Sequence, residues 1–152
     1  MDDNRKLLRH VLATLAYRTQ KALDGAPNGF GAFHAGSGVR TPAELVQHMT
    51  RVLSYARSCF TGGPYVVDAL PSLADEIGRL HAVLADLARH LGSGAPPLNG
   101  VTLEQLLQGP FSDAMTHAGQ LAMLRRLAGS PVAPEHFDAA PISAERQFGE
   151  PL

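Results

Sequence analysis

Apolar residues recur along this chain at spacings of three and four, broken by short clusters of glycine and proline. The first such stretch runs from about Asp3 to Leu23, with Leu7, Leu8, Val11, Leu12, Leu15, Ala16, Ala22 and Leu23 in helical register. Gly25 and Pro27 end it. The second opens at Thr41-Pro42-Ala43-Glu44. Threonine in the capping position, proline at the first helical residue and glutamate at the third predict a helix start with a capping box. Leu45, Met49, Val52, Leu53, Ala56 and Phe60 continue it, and Gly62-Gly63-Pro64 stops it.

A third stretch, about Ser72 to His90, carries Leu73, Ile77, Leu80, Leu84, Leu87 and Leu91, with Gly92 expected as its C-terminal cap. The fourth opens with Thr102-Leu103-Glu104-Gln105, a second capping-box pattern. Gly109-Pro110 is expected to interrupt it, because proline lacks the amide hydrogen and crowds the preceding turn. That leaves a short helix to Gln108 and a main helix from about Phe111 to Ala128, with Met115, Leu121, Leu124 and Leu127 as its apolar contributors. Strand signals are few. The expected fold is all-α, a four-helix bundle over residues 1–130 with an extra short helix before the fourth. Residues 131–152 read as an irregular C-terminal tail, a surface or interface segment of the same domain. The glycine-rich stretch from Asn28 to Arg40 is long for a connector and reads as a loop bordering a site.

Composition narrows the class. A chain of 152 residues, 45% hydrophobic and 18% charged, suits one globular domain. Its formal net charge of −1 argues against a nucleic-acid partner. No apolar run approaches the ~20 residues that span a bilayer, and no signal-peptide core follows the N-terminus. A single cysteine, Cys59, forms no internal disulfide, so a reducing, cytoplasmic setting is expected.

The chemistry concentrates in Ser112 to Leu121. Asp113 and His117 are four apart, hence neighbours on one helix face, and Gln120 follows on the same side. His48 lies among apolar neighbours on the second helix. Two imidazoles and one carboxylate suit a divalent cation (zinc, nickel, iron or manganese) with positions left open. Gln120 would support a ligand by hydrogen bonding. Glu44, one turn before His48, is a further supporting candidate, although capping already accounts for it. The bland alternative makes Asp113 an acid in the first turn of a helix, favoured by the helix dipole, and His117 a hydrogen-bonded core residue.

These residues carry a resemblance. The order of His48 within Leu45-Val46-Gln47-His48-Met49, followed by the Asp113–Gln120 run, resembles the DinB-like superfamily over about residues 3 to 130. That superfamily takes in DNA-damage-inducible proteins and YfiT-type metal-dependent hydrolases. Its pattern has one histidine in the second helix and two, four apart, in the fourth. His48 corresponds to the first and His117 to the last, and Gly119-Gln120 extends the match. Asp113 stands where the pattern has its remaining histidine. The resemblance implies a bundle, usually a homodimer, with a metal between helices two and four. It also implies activation of water or a low-molecular-weight thiol for hydrolysis or transfer on a small molecule. The competing expectation is a non-catalytic, dimeric binding or stress-associated bundle with a vestigial metal site.

Overall fold

The structure is a computed structural model that describes every residue except Gln147. It is all-helical, with no strand among the described residues. Helix α1 spans Asp3–Leu23, α2 Pro42–Thr61, α3 Leu73–Ser93, α4 Leu103–Leu106 and α5 Ser112–Leu127. The four long helices form a ring in which α1 packs on α3 and α5, and α2 packs on α3 and α5. The centre is filled by Leu12, Leu15, Met49, Leu53, Leu80, Leu84, Leu87, Phe111 and Leu121, all essentially inaccessible to water. No described helix is long and apolar enough to cross a membrane.

Local chemistry sets the helix starts. Both capping boxes form. Thr41 Oγ1 accepts from the Glu44 amide at 3.3 Å while Glu44 Oε2 accepts from the Thr41 amide at 2.8 Å. Thr102 and Gln105 exchange the equivalent pair. Asp2 and Ser72 cap α1 and α3 with their side-chain oxygens. Satisfying these otherwise unpaired amides is worth about 1 kcal/mol per cap.

Three expectations are corrected. Helix α3 runs through Gly92 and ends one residue after it, with Gly94 taking the left-handed conformation (φ 77°) that relieves the terminal carbonyls. Leu127, expected in the core, is 59% exposed, because α5 turns only one side to the bundle at its end. The third correction matters most for the site. Gly109-Pro110 does not break the fourth helix. Residues Leu107–Phe111 form one π-helical turn that joins α4 to α5 without a gap. The backbone amide of Ser112 bonds to Leu107 O, a step of five residues, and Ser112 Oγ donates to the same carbonyl at 2.7 Å. The wider turn makes room for the Pro110 ring, and the shifted register does without the amide that proline lacks.

The tail lies against α1. Glu135 accepts from Tyr17 Oη at 2.6 Å and from Lys21 Nζ. The Phe137 ring sits 3.9 Å under the Arg18 guanidinium. Arg9 reaches Ala144 O and the Glu145 carboxylate, each at 3.3 Å. A 3-10 turn at Phe30–Ala32 anchors the long loop by burying Phe30, so only part of that stretch is irregular.

Candidate metal centre

The π turn decides where Asp113 and His117 face. Asp113 does not occupy a free helix start: Phe111, two residues before it, is helical (φ −74°, ψ −42°), and the Ser112 amide already has carbonyl acceptors in the preceding turn. The dipole explanation for an acid at this position therefore fails. A π turn also inserts an extra residue into the helical register, which rotates the following side chains relative to a plain α-helix. Such turns recur at functional sites.

Across the bundle, α2 and α5 pack together, and His48 on α2 faces the Asp113–His117 pair. One ligand atom from each of the three residues lies within 4.8 Å of the others. The His48 and His117 ring centres are 4.7 Å apart at 81°. His117 Nε2 is 3.3 Å from Asp113 Oδ1. That spacing is close to the ~3.4 Å edge of a tetrahedron built on bonds of ~2.1 Å. This is the one such cluster of histidine, cysteine and carboxylate groups among the described residues.

Protonation sharpens the reading. His117 Nδ1 is 2.7 Å from Gln120 Oε1, a contact that suits the tautomer donating from Nδ1 and leaving Nε2 to ligate. Nε2 then presents a lone pair. Nε2 is buried and has no hydrogen-bond partner, although Asp113 Oδ1 is only 3.3 Å away. An unprotonated imidazole nitrogen and a carboxylate oxygen this close are both acceptors, and a shared cation, a proton or a metal, would satisfy them together. Burial, followed by the positive charge of Arg40, holds the His48 pKa below the ordinary histidine value. That favours the neutral imidazole, the form that ligates.

The structure thus brings together His48, Asp113 and His117, with Gln120 behind His117. Glu44 is not drawn in. Its carboxylate serves the α2 capping box, and Glu44 is not one of the three residues whose ligand atoms converge. Cys59 is buried and its thiol is pushed to higher pKa by that burial, so it behaves as a core residue.

The site opens onto a groove of about 770 Å³ lined by His48, Arg51, Val52 and Tyr55 of α2, Tyr65, the π turn and Asp113. Arg51, Val52 and Tyr55 follow His48 by three, four and seven residues, so helical spacing alone marks them as its neighbours. They went unremarked because nothing in their types singles them out. Arg40 and Arg51 also line a neighbouring hollow that shares His48.

What fold and site define together is a helical bundle with a histidine–carboxylate cluster between two of its helices. Compared with known proteins, the chain matches no family model, no curated sequence and no solved structure.

Proposed function

We propose that this chain is a DinB-like metalloprotein in which His48, Asp113 and His117 hold one divalent cation. The observation that carries this reading is His117 Nε2, buried and without a hydrogen-bond partner, 3.3 Å from a carboxylate oxygen and beside a second imidazole. A cation there replaces the missing partner and satisfies all three groups at once. Three protein ligands leave positions open, as catalytic sites require. The bound ion would supply Lewis acidity, lowering the pKa of a water or a small thiol for hydrolysis or transfer on a small molecule. Among the chain's own residues, Gln120 fixes the His117 tautomer, and the groove beside Asp113 receives the substrate. The order of ligands, one on the second helix and two on the last, is the feature that favours the DinB-like assignment, and the homodimer rests on that resemblance alone. Asp113 in place of a histidine favours harder cations such as manganese or iron(II).

A second reading is favoured by one feature. Asp113 is half exposed, and at i,i+4 it forms an ion pair with His117 whenever the imidazole takes a second proton. In a vestigial, non-catalytic bundle that proton is the shared cation. Thermal unfolding separates the two. A site-bound ion at 100 times its dissociation constant stabilises by about 2.7 kcal/mol. Adding manganese, zinc or nickel should raise the Tm of the parent chain and leave His117→Ala unchanged. Equal behaviour of both proteins would favour the vestigial bundle.

A further inference from the structure

The groove beside the candidate centre is walled on three sides by different chemistry. Along α2, His48, Arg51, Val52 and Tyr55 form one ridge. Across from it stand Gln108, Gly109, Pro110, Ser112 and Thr116, all uncharged, with Asp113 of the centre among them. Tyr65, from the connector after α2, closes the far end, its ring 5.2 Å from that of Tyr55 and steeply inclined to it. Both tyrosines are about two-fifths exposed. Gln47 Nε2 donates to Val67 O at 3.0 Å and ties this connector to α2, so the wall is held in place.

Arg51 borders both this groove and the hollow beyond His48, and Arg40 borders the hollow. Both guanidiniums are exposed, and no ion pair among the described residues engages either. The next arginine on α2 is engaged: Arg57 pairs with Asp86 at 3.5 Å. The only carboxylates lining the two spaces are Glu44, taken up by the helix cap, and Asp113, taken up by the centre. With a divalent ion seated, positive charge outweighs negative on this side of the molecule. A guanidinium offers a planar fork of donors that matches carboxylate and phosphate oxygens. Apolar walls with a few placed polar groups are the usual lining of a small-molecule site.

We infer that the groove and the hollow that meets it at His48 and Arg51 together take a small organic anion: a carboxylate or phosphate head held by Arg51, which borders both spaces, and by Arg40 from the hollow, and a flat apolar body in the groove against Val52, Tyr55 and Tyr65. This rests on the metal-centre reading above and adds the class of substrate. The head group is set by the two free guanidiniums, and the body by the aromatic edge.

The test uses the full chain loaded with cobalt(II), whose visible spectrum reports on its surroundings. Phenylacetate and phenyl phosphate supply the two head groups, and phenylacetamide is the neutral control. The expected result is a saturable spectral change with at least one anion and none with the amide. Arg51→Gln and Arg40→Gln should each weaken that anion at least tenfold while cobalt stoichiometry stays near one per chain. Both positions are exposed, so the fold tolerates the change. Arg89→Gln, which removes a charge elsewhere on the surface, should leave binding as it was. Equal response to amide and anions, no response to any of them, or an Arg51→Gln protein that binds as the parent does would overturn the inference and leave the metal centre standing. Failure to take up cobalt would overturn both.

Discussion

Arg125 is the most informative side chain to remove. It lies on α5 two turns beyond His117 and is 5% exposed. Among the described residues no carboxylate pairs with it. Instead its guanidinium donates to Ala22 O at 3.0 Å, Asp24 O at 2.9 Å and Gly25 O at 3.4 Å, and to Ser130 O at 2.9 Å. It therefore caps the C-terminus of α1, where unpaired carbonyls gather and a positive charge is favoured, and it locks α5 against α1. In Arg125→Met the apolar stem is kept and the donors are lost. Asp24 O and Gly25 O can turn to water, but Ala22 O stays buried, a penalty of about 1–3 kcal/mol. Losing the other charge-assisted bonds adds to this, and the removed charge no longer has to be desolvated. The net is about 3 kcal/mol. At about 2–4 °C per kcal/mol for a chain of this size, Tm should fall by about 6–12 °C. Urea unfolding followed by circular dichroism at 222 nm measures it. Arg126→Met, next door and exposed, should cost less than about 0.5 kcal/mol. Arg125→Lys should fall between, since an ammonium cannot span the same carbonyls. A loss below about 1 kcal/mol for Arg125→Met would refute this account of how α5 is held.

Two further outcomes follow from buried titratable groups. Cys59 should resist iodoacetamide at pH 8 in the folded chain and react fast in urea, because burial suppresses its thiolate; alkylation rates by mass spectrometry check this. His81 is held below the ordinary value of 6.5 by burial, partly offset by Asp24. The unfolded chain thus binds the extra proton first as pH falls below about 6.5, so stability present above that pH is lost down to the folded pKa and then levels off. Unfolding free energies at pH 7.5 and 5.5, with chelator present, should differ less in His81→Gln than in the parent.

Much of the architecture was legible where the signal is local. Thr41-Pro42-Ala43-Glu44 and Thr102 to Gln105 announce helix starts because each box closes within four residues. Asp113 and His117 announce a shared face for the same reason. Gly109-Pro110 misleads because its outcome depends on a hydrogen-bond register, five residues instead of four, that no residue type encodes. The docking of the tail through Glu135 depends on Tyr17 and Lys21, more than a hundred residues away. His48 is an intermediate case. Its apolar neighbours mark it as inward-facing, but only the packing of α2 on α5 sets it opposite His117. The lone pair on His117 Nε2 was not legible at all, since it needs the Gln120 contact and the Asp113 distance together.

The central claim is that these three side chains share a metal ion. Metal content of the full chain, purified without chelator or a histidine-rich tag and read by elemental mass spectrometry, tests it most directly. The expected result is about one divalent ion per chain, lost in His48→Ala and in His117→Ala. No metal above trace in the parent chain, before and after dialysis against manganese, iron(II), nickel and zinc, would contradict it.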